Sequence, residues 1–169
     1  MPVRPLETAR LTLLPMTVED LTALIEDDPA LVSSGIVFPT PFRPPPENED
    51  VIAMFREEIR RGTDWPPRFV VRRDDRHVVG SGGLVTPDAD GVVLLGYSIY
   101  PEYEGRGYAS EAAHALVLHA LAQPGITRVR ATIHPHNLGS RKVATRAGLV
   151  RTGELDDPKE GRLEVWENG

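Results

Sequence analysis

The chain has 169 residues, 40% of them hydrophobic and 26% charged, with a formal net charge of −6 and no cysteine. This composition is typical of one soluble globular domain, so we treat 1–169 as a single domain, and no run approaches the roughly 18 apolar residues of a membrane helix. The missing cysteines exclude disulfides, thiolate metal sites and a cysteine nucleophile. Because the N-terminus lacks the apolar core of a signal peptide, we expect a cytoplasmic protein.

Charge is unevenly distributed along the chain. Residues 1–90 carry 16 acidic and 10 basic side chains, whereas residues 91–150 carry 3 acidic and 6 basic ones. A locally positive segment in an acidic protein suits a small polyanionic ligand better than a nucleic acid, which more often meets a basic domain. Chance clustering on a solvated surface is the alternative interpretation.

The first half of the chain predicts a strand, two helices and then an antiparallel meander. Polar and apolar residues alternate over 10–13, as in a half-buried strand, and Thr17 with Asp20 forms a capping-box pattern at a helix start. Gly62 ends the second helix. The meander strands, separated by turns, are expected at 69–73, 77–80 and 92–100.

A proline-rich stretch over 38–46 is too dense in proline to form a regular element. As a surface loop with two aromatic residues, it could shape a substrate mouth. The alternative is that Phe38 and Phe42 only attach the loop to the core.

The centre of the chain places a glycine loop between a strand and a helix. An apolar run ends at Pro101, Gly105 and Gly107 follow, and an alanine-rich helical stripe begins at Ala109. Such a loop presents free N–H groups at a helix start, where hydrogen bonds and the helix dipole favour an anion. It is not a dinucleotide fingerprint, because Ser110 stands where the third glycine belongs. Alone, the pattern fits an anion site or a purely structural turn.

The remaining chain predicts a crossover and a final hairpin. Residues 128–134 alternate as a strand that should run parallel to the strand before the glycine loop, since a helix separates the two. Asn137 can cap a further helix, which Gly148 ends. Two last strands are expected at 149–152 and 161–166. The sum is an α/β fold with a mixed sheet of about seven strands and about four helices.

Two segments resemble a known enzyme family. Residues 101–112, Pro-Glu-Tyr-Glu-Gly-Arg-Gly-Tyr-Ala-Ser-Glu-Ala, resemble motif A of the GNAT acyl-CoA N-acyltransferases, in the branch of ribosomal-protein N-terminal acetyltransferase-like enzymes. Residues 137–149 resemble the Asn-x-x-Ser … Gly-Phe segment that follows in that branch, and residues 7–13 resemble its first strand. The resemblance implies one GNAT-like domain whose fourth and fifth strands are parallel and splay apart around acetyl-CoA.

The same resemblance implies a set of cofactor-binding residues. The backbone of Ser98, Ile99 and Tyr100 would hold the pantetheine arm like an added strand. Asn137 and Ser140 would lie beside the pantetheine and the thiol. The pyrophosphate would meet the N–H groups of the loop and the helix start, which belong to Gly105, Arg106, Gly107, Tyr108, Ala109 and Ser110.

The chain departs from the family pattern at three positions. Glu104 stands where the family motif opens with Arg or Gln, so a carboxylate lies next to the expected diphosphate. The tyrosine that many members use as general acid falls at Ala144, which leaves that role vacant. Leu149 replaces the usual Phe, which we interpret as a packing change.

The implied reaction is attack of an amine on a thioester, which needs a base and a proton for the leaving thiolate. Ser140 is the candidate to hydrogen-bond the thiolate. The alternative is that Ser140 is an ordinary first-turn serine that bonds only to the backbone. His134 is the candidate base because imidazole titrates near neutrality, although a strand-end histidine that simply faces water is the more common case. His134 and His136 have no third ligand, so no metal is expected.

We therefore expect an N-acetyltransferase that moves acetyl from acetyl-CoA to a primary amine in a ternary complex. The acceptor would be a protein N-terminus or a small molecule, and the acidic first half suits a cationic one. The alternative is a CoA-binding sensor or partner-binding module of the same fold without turnover. Neither nucleic acid nor a membrane is expected as a partner, and a homodimer is left open.

Overall fold

The computed structural model describes residues 3–32, 35–39 and 49–168. Its eight strands, β1 to β8 in chain order, are Leu6–Glu7, Leu11–Pro15, Arg68–Arg72, Val78–Leu84, Val92–Ile99, Arg128–Ile133, Leu149–Asp157 and Gly161–Asn168. Its four α-helices, α1 to α4, are Val18–Glu26, Glu49–Arg60, Tyr108–Leu121 and Leu138–Arg146. No helix within the described residues is both long and apolar enough to cross a lipid bilayer.

All eight strands form one mixed sheet in the order β1-β2-β3-β4-β5-β6-β8-β7. Neighbouring strands are antiparallel except β5 and β6, which are parallel and joined through α3. The predicted α/β fold, with its meander and its parallel pair, is confirmed. The structure adds the short strand β1, in which Leu6 pairs with Leu13, so the parallel strands are the fifth and sixth rather than the fourth and fifth.

The sheet is packed on both faces. Helix α3 lies on one face, where Ala112, Ala113 and Leu116 are fully buried against strand residues such as Val70. The small residues of α3 let its backbone approach the sheet closely. Residues of alternate parity on β3, including Phe69, face the other side and pack under α1. The two helical layers therefore fix the central strands whose ends form the site.

Local signals at the helix ends behave as their chemistry predicts. Thr17 accepts a hydrogen bond from the N–H of Asp20 at 3.1 Å, and Asp20 accepts one from the N–H of Thr17 at 2.9 Å, which completes the capping box. Asn137 caps α4, and Gly148 after it has a φ of +91°.

Phe38 packs edge-on against Phe69 at 5.3 Å between ring centres, whereas Phe42 lies outside the described residues.

Candidate functional site

The parallel strands separate at a defined point. β5 and β6 pair only from Val92 with Arg128 to Leu94 with Arg130. Beyond that point β5 stays paired with β4 as far as Ile99, while β6 stays paired with β8 as far as Ile133. One edge of β5 over residues 95–99 therefore faces an opening in the sheet.

The direction of the backbone groups along β5 decides which of them face this opening. The N–H of Val85 donates to the carbonyl of Leu94, and the N–H of Tyr100 donates to the carbonyl of Val79, so even-numbered residues of this segment bond toward β4. In a strand the N–H and C=O of one residue point to the same side, and the side alternates along the chain. The odd-numbered residues Tyr97 and Ile99 thus direct their backbone groups into the opening.

This alternation corrects the expected pantetheine contacts. Of the three residues assigned from the resemblance, Ile99 offers its backbone to the opening, whereas Ser98 bonds toward β4. Tyr100 has both groups in use, since its carbonyl also accepts from the N–H of Tyr103 at 2.9 Å, and its side chain is buried under α1. Tyr97, not assigned from sequence as a cofactor contact, is the second residue with a suitably directed backbone.

A cavity of about 770 Å³ extends from this opening to the glycine loop, which is within the usual size of a ligand or cofactor site. Among the described residues that line it, Glu104 is the one acidic side chain, and Lys142 and Arg146 are the two basic ones. The lining residues are 97–99, Pro101, 103–105, 107–110, Asn137, 139–140, 142–143 and Arg146.

The glycine loop has the geometry of an anion site. Gly105 and Gly107 have φ values of +75° and +83°, which residues with a side chain rarely adopt. Helix α3 begins after Gly107 without a side-chain cap, and the N–H of Glu111 donates back to the Gly107 carbonyl at 3.1 Å. The N–H groups of the three preceding helical residues have no partner one turn back, as at every helix start. These groups belong to Tyr108, Ala109 and Ser110, which line the cavity.

Three arginines surround the loop, and two of them lie outside the basic segment identified from sequence. The guanidinium of Arg10 lies 4.6 Å from the ring centre of Tyr108. The guanidinium groups of Arg72 and Arg106 lie 5.3 and 5.5 Å from the ring centre of Tyr103. The side chain of Arg106 is exposed, and Arg106 is not among the cavity-lining residues. Arg10 and Arg72 also form ion pairs, with Glu111 and Asp75 respectively, so their positive charge at the loop is largely balanced.

Helix α4 forms the opposite wall. The side-chain oxygen of Asn137 accepts from the N–H of Ser140 at 3.0 Å, and the Ser140 carbonyl accepts from the Tyr97 hydroxyl at 3.3 Å. Burial raises the pKa of Tyr97, and a side-chain hydrogen bond with Ser140 acts in the opposite direction, so the phenol stays protonated at neutral pH. Ala144 is 1% exposed and packs in the core, whereas Val143 lines the cavity. The position carried over for the missing tyrosine thus faces away from the site.

His134 lies just past the end of β6 and does not line the cavity. Its Nε2 is 2.9 Å from a carboxylate oxygen of Glu160, and its ring stacks on that of His136 at 5.2 Å. No cluster of three potential metal-ligating side chains occurs in the part of the chain that the structure describes. The sequence indicated His134 but gave no sign of Glu160, which comes from the β7–β8 turn.

Comparisons with known proteins agree with this geometry. Residues 10–150 match the acetyltransferase (GNAT) domain family. The uncharacterized N-acetyltransferase p20 of Bacillus licheniformis is 29% identical over 94% of this chain and 90% of its own. The uncharacterized N-acetyltransferase YjdG of Bacillus subtilis is 30% identical over 60% of this chain, and the match spans 62% of that relative.

A solved structure supports the fold across almost the whole chain. RimL, a ribosomal L7/L12 alpha-N-protein acetyltransferase in complex with coenzyme A, superposes with a TM-score of 0.71 over 98% of this chain and 97% of its own, at 15% identity. The splayed parallel strands, the glycine loop at the start of α3 and the family match lead to one conclusion: the chain belongs to the GNAT acetyltransferase family.

Proposed function

We propose that this protein transfers the acetyl group of acetyl-CoA to a primary amine. The observation that carries the proposal is that the uncapped start of α3, the open edge of β5 and the first turn of α4 meet in one cavity. Acetyl-CoA supplies an acetyl thioester, which an uncharged amine attacks directly. The protein's part is to hold the diphosphate and pantetheine, to accept the amine proton and to stabilise the departing thiolate.

The cavity residues fit acetyl-CoA in both charge and shape. The N–H groups of Gly105 and of residues 107–110 would bind the diphosphate, with Lys142 and Arg146 nearby. The backbone of Tyr97 and Ile99 would hydrogen-bond the amide groups of the pantetheine arm in the manner of an added strand. Asn137 would lie beside that arm. Arg106 would contribute through its charge rather than through a cavity contact.

Ser140 is our candidate for the group that stabilises the thiolate. Its N–H and its carbonyl are both bonded within the described residues, which fixes the residue while its side chain borders the cavity. A hydroxyl at this point can donate a hydrogen bond to sulfur as negative charge develops. Replacing Ser140 by Ala should lower kcat by about a hundredfold to a thousandfold, in line with the loss of one such donor, and leave CoA affinity unchanged. Full activity of the variant would remove Ser140 from the mechanism.

His134 is our candidate base on the amine side. The carboxylate of Glu160 at 2.9 Å can orient the imidazole. Because His134 stands at the end of β6 and not in the cavity, the amine would approach from the rim of the opening. A His134→Gln variant should lower kcat/KM by about a hundredfold or more, the usual contribution of a general base. An unchanged kcat/KM would exclude this role.

We propose a cationic amine or a basic protein N-terminus as the acceptor, because acidic side chains dominate residues 1–90. The reaction would take place in the cytoplasm. RimL, which is named as an alpha-N-protein acetyltransferase, shares the fold and no more than that. The alternative remains a CoA-binding module without turnover, as a monomer or a homodimer. Thiol release with acetyl-CoA and a panel of amines and N-terminal peptides separates the two. Saturable acetyl-CoA binding with no CoA production on any acceptor would overturn the transferase proposal.

A further inference from the structure

Arg10, directly before β2, connects the N-terminal edge of the sheet to the glycine loop almost a hundred residues later. Its Nη1 donates to the carbonyl of Arg106 at 2.9 Å, and its Nε donates to a carboxylate oxygen of Glu111 at 2.8 Å. Its guanidinium also lies over the Tyr108 ring. A Cβ placed on Gly107 would stand 3.3 Å from its other terminal nitrogen. One side chain thus contacts the loop, the helix start and the first turn of α3.

The bond to the Arg106 carbonyl has a direct consequence for the cavity. That carbonyl and the N–H of Gly107 belong to one planar trans peptide unit, so they point in opposite directions. With the carbonyl held on the Arg10 side, the Gly107 N–H points away from Arg10, and Gly107 lines the cavity. Because Gly107 has a positive φ and glycine is conformationally permissive, the loop alone does not fix this orientation.

Arg10 also neutralises an acidic group beside the proposed diphosphate site. The Glu111 carboxylate accepts from the Arg10 side chain, from the Arg10 N–H at 2.8 Å and from the Thr8 hydroxyl at 2.6 Å. Burial would raise the pKa of Glu111, but these bonds outweigh it and hold the pKa below its usual value, so the group stays ionised. Its side chain is only 18% exposed. Without Arg10, a poorly solvated negative charge would remain in the first turn of α3.

We infer that Arg10 is a positioning residue for the diphosphate loop, which it serves by holding the Arg106 carbonyl away from the cavity and by pairing with Glu111. Arg10 itself does not line the cavity, so it acts through the orientation of the Gly107 N–H and through the local charge. The inference rests on the proposed acetyl-CoA site. It predicts that Arg10 matters only for ligands that carry the diphosphate.

The test compares CoA binding and donor use in Arg10→Ala with the unmodified protein. Calorimetric titration should show CoA and 3′-dephospho-CoA binding about tenfold more weakly, as expected when one hydrogen bond to a charged group is lost. With S-acetylpantetheine as donor, which lacks the diphosphate, kcat/KM should be unchanged. If Arg10→Ala does not fold, Arg10→Lys serves instead, because an ammonium keeps the charge but cannot hold both partners, and a loss of about threefold is expected.

Arg73→Ala is the matched control. Arg73 is about as exposed as Arg10. It binds the same N-terminal segment, donating to the Thr8 carbonyl at 2.7 Å and pairing with Glu7 at 3.4 Å, but it does not contact the loop. CoA affinity should be unchanged in this variant. Equal losses in both variants, or an equal loss with S-acetylpantetheine, would reduce Arg10 to a structural residue and overturn the inference. Failure of the unmodified protein to bind CoA would instead overturn the proposed function.

Discussion

Glu104 is the residue that most directly tests the charge balance of the proposed site. It lines the cavity next to Gly105, and its side chain is exposed. Because consecutive Cα atoms are about 3.8 Å apart, a carboxylate one residue from the diphosphate-binding amides lies roughly 6 Å from the bound phosphate. We predict that Glu104→Gln strengthens acetyl-CoA binding.

The size of the effect follows from Coulomb's law. Two unit charges about 6 Å apart interact by roughly 0.7 kcal/mol at the dielectric constant of water, the appropriate limit for an exposed side chain. Removing that repulsion should lower the KM for acetyl-CoA about threefold while kcat stays unchanged. The gain should shrink as ionic strength rises from about 0.1 M to about 1 M, because the screening length falls from about 10 Å to about 3 Å.

The assay is initial-rate thiol release at varied acetyl-CoA and saturating amine, repeated at low and high salt. Glu26→Gln is the control, because it removes the same charge from α1, whose residues do not line the cavity. The control should behave like the unmodified protein at every salt concentration. A Glu104→Gln variant with unchanged KM at low salt would show that no anion binds beside this residue, and would refute the reasoning.

Three further predictions concern the loop, the vacant tyrosine position and a half-buried histidine. Gly107→Ala and Gly105→Ala should each destabilise the fold by about 1–2 kcal/mol, because both positions have a positive φ. Only the methyl group added at Gly107 would contact Arg10, so Gly107→Ala should weaken CoA binding more than Gly105→Ala does in a calorimetric titration. Ala144→Tyr should lower the Tm and leave kcat no higher, since overfilling a packed core costs about 1–3 kcal/mol. Burial and the positive charge of Arg68 lower the pKa of His119. The free energy of unfolding should therefore fall as the pH drops below about 6.5, because the unfolded chain then binds a proton at this histidine more readily than the folded protein does. His119→Gln should reduce this loss when unfolding is measured at a series of pH values. An unchanged pH profile would contradict the last prediction.

Short-range chemistry made much of the fold predictable from sequence. The capping box of Thr17 and Asp20, the cap at Asn137 and the glycine at Gly148 each act within a few residues, so their geometry follows from local hydrogen bonding. The same holds for the glycine loop before α3. The strand β1 was missed because two residues carry no periodic signal, and it forms only through pairing with β2.

The parts of the site that depend on pairing between distant segments were not predictable in this way. The sequence assigned residues 98–100 to the pantetheine, but only the register of β4 against β5 shows that Tyr97 and Ile99 face the opening. Charge counting along the chain pointed to residues 91–150. Arg10 and Arg72, which the fold brings to the loop, lie in the acidic first half, where a one-dimensional count hides them.

His119 shows the same limitation on a helix. It lies off the apolar stripe of α3, a position typical of a solvated side chain, yet it is half-buried beside Trp65, 6.1 Å away between ring centres. Trp65 precedes β3 and is brought to α3 only by the tertiary fold. The helical period of a sequence places a residue on a face, but it does not show what another segment lays over that face.

The most direct test of the central claim is a crystal structure of the protein with bound CoA. The account predicts the diphosphate within about 2.7–3.2 Å of the N–H groups at the start of α3, with the pantetheine amides paired to Tyr97 and Ile99. It also predicts that the Arg106 carbonyl stays bonded to Arg10 in the complex. A CoA molecule whose diphosphate lies away from residues 105–110, or whose pantetheine avoids the open edge of β5, would contradict it.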